Sequence, residues 1–335
     1  MKLSVDLLLP SNSPGLVHDA AVLTKAGELK FGSNIKYRTI ILPEEVANSK
    51  NQDFDLASKL GHPADLAIFI ERVVRHPFFL KYSTRALKPN PDWFFPQDEK
   101  QIANYIDVVL HKTRSGYNIF NEAIKNSAHK YIGFSSLDNG LRVKSWNSFG
   151  HFRGRRLDRH TQQIVNLWCH NKSWPQLNLT MYGKDIGVQF PEWLVTKNIR
   201  VLLGSQNIKS HSLNISNSGI HICTSETEGF GHYINEARMM GAIAIVPNAP
   251  PMNELINDDN GALVKVSLVK KLPWKTLNKI TEEDLAETIE RLLLMTEEQR
   301  RDLGMTARKS YEKDRAEFID LFAEYLTELC EKKMK

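Results

Sequence analysis

Apolar residues along this 335-residue chain fall into two rhythms. Short unbroken runs of leucine, isoleucine and valine read as strands buried on both faces, and apolar residues spaced three and four apart read as helices. Residues 3–9 form the first such strand. Pro10–Gly15 is a loop and Leu16–Lys25 has helical spacing, which together make a β-loop-α opening. Tyr37–Leu42, Ala64–Glu71 and Asp107–Thr113 are further strands, the second ending on a polar residue where a cleft would open. Leu80–Leu87 fits either period. Pro89–Pro96 is broken by proline and cannot be a helix interior. Tyr117–Asn126 is helical, and Lys130–Ser135 is a short strand. Thr161–Cys169 is a helix, and Leu177–Tyr182, Ile199–Leu203 and Gly219–Cys223 are strands. Residues 281–296 and 298–333 are helical, with Leu285, Ile289, Leu292 and Leu293, then Phe318, Phe322, Tyr325 and Leu326, at amphipathic spacing.

Strands alternate with helices in both halves, which predicts an α/β protein of two Rossmann-like, doubly wound domains. Ligands in such sheets bind beyond the carboxyl ends of the strands, and two sets of ends can face a central cleft. The length also favours two cores over one. Turn residues from Asp138 to Asn147 mark the linker. The expected division is 1–140, 141–312, and a final helix 313–335 that can cross back to the first domain.

Composition narrows the function classes. The hydrophobic share of 41% and charged share of 25% are those of a globular protein. A net charge of +5 is too small to imply nucleic acid. Cys169, Cys223 and Cys330 have no metal-ligand spacing and form no disulfide framework. Asp6 interrupts the first apolar run, no cleavage pattern follows it, and no apolar run is long enough to span a bilayer. The expectation is a cytoplasmic protein. The basic stretch His151–His160 suits a diphosphate or an anionic surface, and the tail Glu331–Lys335 allows contact with a membrane surface, although a solvated terminus explains it better.

The clearest chemistry lies in Thr224-Ser-Glu-Thr-Glu-Gly-Phe-Gly-His-Tyr-Ile-Asn-Glu236. A strand ends at a glycine turn and a helix begins. Glu228 then sits at the mouth of the turn and Glu236 two turns along the helix, with amide N–H groups between them at the positive end of the helix dipole. This run resembles the E-x7-E donor motif of retaining GT-B glycosyltransferases of family 4. The resemblance continues through Gly241–Pro247 as the next strand, and through Asn253–Ile256 and Asn260–Val264 as the loop and short strand that close a nucleotide pocket. It reaches more weakly into Pro89–Phe94, Asp107–Thr113 and Tyr131–Phe134.

The resemblance implies a role for each residue. Glu236 would accept hydrogen bonds from ribose hydroxyls, and Glu228 would contact the transferred sugar. Gly229, Phe230 and Gly231 would present amides to sugar and phosphate. The family's basic pair maps to Arg155 and Arg159, with Arg156 able to share the role; arginine stands at 159 where the family has lysine, and His160 where it has glycine. A solvated basic loop is the alternative. Glu254 would lie near the nucleotide or cap a helix. Gly15 would belong to a loop approaching the donor phosphates. His18 would face the cleft or be structural, and Glu71 would orient an acceptor hydroxyl. The implied reaction moves a sugar from a nucleotide-diphosphate sugar to a hydroxyl of a glycan or glycolipid, with retention, without a metal or other cofactor. An epimerase or hydrolase on the same fold, and a non-catalytic sugar-nucleotide binder, are the competing readings.

Overall fold

The computed structural model describes residues 2–48, 53–94, 99, 102, 104–152, 154, 156, 158–181, 196–203 and 213–334. The chain divides into two compact units, Met1–Leu137 with Asp314–Lys335, and Asp138–Lys313.

The first unit holds a parallel sheet of β1 (Leu3–Leu9), β2 (Ile35–Ile41), β3 (Leu66–Glu71), β4 (Thr84–Pro89), β5 (Val108–His111) and β6 (Ala128–Tyr131), in the order β2-β1-β3-β4-β5-β6. Its central strands are apolar because helices and loops cover both faces; residues 66–70 of β3 are all buried. Helix α1 (Pro14–Phe31) connects β1 to β2 and begins with proline in its first turn, where a missing N–H costs nothing. It starts earlier than its apolar spacing predicted, so Gly15 lies inside the helix. Short helices α2 (Glu44–Ala47) and α3 (Leu56–Leu60) follow β2. Asp6, the polar break in the first apolar run, is fully buried. Its carboxylate accepts two bonds from Arg38 on β2, at 2.7 and 2.6 Å, and one from the Tyr82 hydroxyl at 2.6 Å. The ambiguous stretch around Leu80 resolves into a 3-10 turn, Pro77–Lys81, followed by β4. Phe69, Phe78, Phe79 and Tyr82 pack edge to face there and pull the turn into the core. Helix α4 (Arg114–Ala123) joins β5 to β6.

The second unit holds β7 (Phe149–His151), β8 (Leu177–Met181), β9 (Ile199–Leu203), β10 (Ile220–Ile222), β11 (Ile243–Pro247) and β12 (Ala262–Val264), parallel in the order β12-β11-β10-β7-β8-β9. Helices α5 (Thr161–His170), α6 (His232–Met240), α7 (Met252–Leu255) and α8 (Glu282–Leu293) accompany it. The segment expected as a loop at 253–256 is largely the short helix α7. Strand β7 carries no long apolar run and was not expected. Gly150 makes it possible, since a Cβ there would stand 2.2 Å from the Phe152 ring. A hairpin of β13 (Leu268–Lys271) and β14 (Thr276–Lys279) also escaped the periodicity. Residues 138–147 have no regular structure, yet Val143 N–H donates to Met240 at 3.0 Å and Trp146 Nε1 donates to Gly241 at 2.9 Å. Helix α9 (Glu297–Met334) supplies its first part to the second unit and residues from Asp314 to the first. In the first unit Phe318 packs against Phe134, ring centroids 5.2 Å apart. None of the helices in the described residues is long and apolar enough to cross a membrane.

Each core contains a histidine kept neutral by burial. His111 stacks on His129 with Nε2 2.9 Å from its Nδ1, and burial lowers its pKa to about 3. His221 lies against the carbonyls of Ile215 and Ser218, and burial lowers it to about 4. In the unfolded chain both accept a proton near pH 6.5. Their contribution to stability is therefore whole above that pH and lost as pH falls toward 4 and then 3, at about 1.4 kcal/mol per group per pH unit. Urea midpoints measured from pH 7 to pH 5 are expected to fall, and a flat profile would contradict these two assignments.

Candidate active site

In the second sheet the strand order reverses between β7 and β10, with β8 and β9 on one side and β11 and β12 on the other. Connections leaving the carboxyl ends of those two central strands diverge, and a parallel sheet opens a ligand crevice at that point. The basic loop follows β7, and the Thr224–Gly231 turn follows β10. His151 ties the two together: its Nδ1 lies 2.8 Å from the Ile222 carbonyl and its Nε2 2.9 Å from Thr161 Oγ1.

The loops interlock through backbone and side-chain bonds. Glu226 N–H donates to Asp158 at 2.9 Å, and Thr224 Oγ1 donates to the Arg159 carbonyl at 2.9 Å. His160, in the left-handed region at φ 52°, places Nδ1 2.7 Å from the Thr224 carbonyl. These bonds carry Arg159 inward. Its guanidinium lies 3.4 Å from Glu228 Oε1 and stacks 3.7 Å from the centre of the Tyr233 ring. Both members of the ion pair are buried, and the Arg159 Nε–H has no partner among the described residues. Ser225 Oγ donates to Glu228 at 2.6 Å and lies 2.7 Å from the Tyr233 hydroxyl, which accepts from Ser225 N–H at 3.2 Å. Burial pushes the Tyr233 phenol well up, against the opposing charge of Arg159.

Helix α6 begins at Gly231, whose φ of 97° is a conformation that side-chain-bearing residues rarely take. No side chain caps this end and its first turn holds no acid. Phe230 is buried beside it. Gly229 is buried in the same turn. Glu236 is four residues beyond His232, so it stands about one turn into the helix, not two. It is half-buried, with no hydrogen-bond partner among the described residues; burial raises its carboxyl pKa, opposed by the charges of His232 and Arg159. Arg156 turns away to Asp158, at 2.9 and 2.6 Å, and to the Thr227 carbonyl at 3.1 Å. Burial works to raise Asp158, and the bond and charge of Arg156 outweigh it, leaving the carboxyl below its ordinary range. Arg156 thus braces the turn. Arg155 lies outside the described residues. Glu254 is exposed in the first turn of α7. Burial pushes the Cys223 thiol up, which removes it as a nucleophile at neutral pH.

The first sheet reverses between β1 and β3. Gly15 and His18 follow β1 on α1, and Glu71 ends β3. Gly15 is exposed, with open space where a Cβ would project. Glu71 has φ 77°, the second of the two described non-glycine residues in the left-handed region. Such a conformation costs about 1–2 kcal/mol and concentrates where a side chain must be aimed. Asn90 Nδ2 donates to it at 3.2 Å, and burial raises its carboxyl pKa. Beside it, Asp19 Oδ2 receives Lys88 Nζ at 2.5 Å and Lys112 Nζ at 3.1 Å, all three buried. Both ammonium groups lie over the Phe134 ring, at 4.4 and 5.1 Å. Trp93 is left largely exposed just beyond β4.

Sequence reasoning singled out the Glu pair and Arg159 but not Tyr233, Ser225 or the Asp19–Lys88–Lys112 cluster. The signal for the cluster was a lysine closing each of two apolar strands, at Leu87-Lys88 and His111-Lys112. Among the described residues no group of three or more His, Cys, Asp or Glu could hold a metal.

No protein-family model matches the sequence, and no curated protein does. Solved structures do match over the whole chain. Sucrose-phosphate synthase from Thermosynechococcus elongatus superposes with a TM-score of 0.72 at 12% identity, covering 99% of each chain. HepE from Anabaena, in complex with UDP-glucose, gives 0.68 at 12%, covering 98% of this chain and 100% of that one. A glycosyltransferase from Rickettsia africae gives 0.64 at 13%, covering 100% and 99%. The fold is GT-B: α/β, with two Rossmann-like units.

Proposed function

We propose that this chain is a glycosyltransferase that moves a sugar from a nucleotide-diphosphate sugar to a hydroxyl of a glycan or glycolipid, with retention and without a metal. The observation that carries the reading is the buried Arg159 guanidinium, held between Glu228 and Tyr233 with its Nε–H unpartnered, beside the uncapped start of α6. A buried donor without an acceptor is costly, and a diphosphate oxygen would satisfy it. That HepE is recorded with UDP-glucose, and that the other matched structures are named as a sucrose-phosphate synthase and a glycosyltransferase, supports the donor class.

In the proposed reaction the bond between the anomeric carbon and the phosphate oxygen breaks, and its electrons stay on the phosphate. Arg159, with Arg155 and the amides of Gly229, Phe230 and Gly231, stabilises that charge. The acceptor oxygen attacks from the face the phosphate leaves, and its proton passes to the departing phosphate oxygen. Glu228 holds the transferred sugar, Glu236 the ribose, and Glu254 the nucleotide edge. In the first unit His18 and Glu71 serve the acceptor, and Glu71, in the left-handed region, accepts a hydrogen bond from Asn90. Trp93 offers an exposed aromatic face to a glycan.

A thermal-shift screen of nucleoside diphosphates tests the donor site, because a ligand that binds only the folded protein raises its melting point. Glu236→Ala is expected to weaken the best ligand by about 10- to 150-fold, the worth of one charged hydrogen bond at about 1.5–3 kcal/mol. Unchanged affinity in a folded variant would remove Glu236 from the site.

A further inference from the structure

The hairpin of β13 and β14 presents apolar and cationic side chains that are exposed together. Residues 265–279 contain five lysines and no acid, a charge equal to the +5 of the whole chain. Leu268 pairs across the hairpin with Lys279, and Lys270 with Leu277, so one face carries Leu268, Lys270, Leu277 and Lys279. Leu268, Val269 and Leu272 are exposed by 58%, 52% and 36%. Lys270 and Lys271 are exposed and no described residue pairs with them. Lysines on edge strands commonly guard against strand pairing between molecules. That role explains the lysines and leaves the exposed leucines and valine unexplained.

We infer that β13, exposed on both of its faces, docks the second unit edge first on an anionic lipid bilayer, with Leu268, Val269 and Leu272 entering the interface and Lys270 and Lys271 meeting lipid phosphates. Apolar area and anionic attraction act together at a bilayer surface, and a hairpin of mixed lysine and leucine offers both. The base of the hairpin reaches the candidate site. Asn278 N–H donates to the Glu226 carbonyl at 2.8 Å, and Ile280 N–H lies 3.4 Å from His160 Nε2. Buried Trp274 anchors the turn. Docking would therefore brace the loop that carries Glu228. The inference does not depend on the transferase reading, because lipid binding is measured without a donor.

The test is flotation of the full chain with vesicles of phosphatidylcholine alone and of phosphatidylcholine with phosphatidylglycerol in equal parts. Wild type is expected to bind the anionic vesicles, to ignore the neutral ones, and to be released by salt. Lys270→Gln with Lys271→Gln should weaken binding about thirtyfold, from about 1 kcal/mol per lysine near the surface. Leu268→Ser with Leu272→Ser should weaken it as well while the salt dependence remains. Both variants alter exposed positions, and unchanged melting points confirm that they fold. Equal binding to neutral vesicles, no binding to either, or full binding by both variants would overturn the proposal. So would self-association that the Leu268→Ser, Leu272→Ser variant abolishes, because the face would then belong to a second copy of the chain. Nucleoside diphosphate binding, followed by thermal shift on the same samples, separates failure at the bilayer from failure of the donor site.

Discussion

Arg159→Ala lowers turnover with a nucleotide-sugar donor by about 30- to 1000-fold, and donor affinity falls much less. The range follows from about 2–4 kcal/mol for one fixed charge aimed at an oxygen that becomes negative in the transition state. Arg159 is suited to that work because its neighbours fix it in place: Glu228 at 3.4 Å, the Tyr233 ring at 3.7 Å, and Thr224 bonded to its backbone carbonyl. A charge already oriented needs no reorganisation as the bond breaks. The loss is read in kcat at saturating donor. Removing the arginine also leaves the buried Glu228 carboxylate with Ser225 as its remaining described partner, so some stability goes too. Arg159→Lys separates the two effects, since it keeps the charge and loses the planar fork and the stack on Tyr233. It should fall between wild type and alanine. Wild-type kcat in a folded Arg159→Ala protein would remove the residue from the chemistry.

Asp19→Asn destabilises the first unit by about 3–5 kcal/mol, the cost of leaving buried charge without its partner. For a unit of this size that is a fall of about 10 °C in its melting point. Among the described residues Asp19 receives both Lys88 and Lys112 through one carboxylate oxygen, beside the Phe134 ring. Burial already lowers the Lys88 pKa to about 7, even with Asp19 in place. Without the carboxylate the folded protein must release that proton while the unfolded chain keeps it. Wild type holds the Lys88 proton in the fold up to about pH 7 and the variant loses it lower, so the variant's deficit is greatest well below pH 7, shrinks as pH rises to about 7, and is level above it. Urea titrations at pH 6 and pH 9 check both magnitude and direction. Adding Lys88→Met should recover part of the loss. A deficit no larger at pH 6 than at pH 9 would mean that Lys88 is not charged in the fold.

The parts of the molecule that were legible in sequence are those with strong local signals. Long apolar strands such as β1 and β3 show their burial directly, and the E-x7-E run shows its glycine turn. Strand β7 escaped because three residues, one of them a glycine beneath Phe152, make no periodic pattern; its place is fixed by neighbouring strands and by His151. The hairpin escaped because lysine interrupts the apolar residues on both faces, Leu268 and Lys270 on one and Val269 and Lys271 on the other. Glu236 stands one turn less deep than the spacing suggested, because the turn after Glu228 runs to Gly231 before the helix opens. The Arg156 fork bonds Asp158, a partner two residues away whose orientation the sequence does not show. Tyr233 stood in plain view within the motif. Only the fold shows that its ring carries Arg159.

The central claim is sugar transfer, and its most direct test is release of nucleoside diphosphate from a panel of nucleotide sugars, with and without glycan and glycolipid acceptors, in the presence of EDTA. The account predicts release that requires an acceptor, persists in chelator, and yields a glycoside with the donor's anomeric configuration. Release at the same rate without acceptor, or no release from any donor that binds, would contradict it.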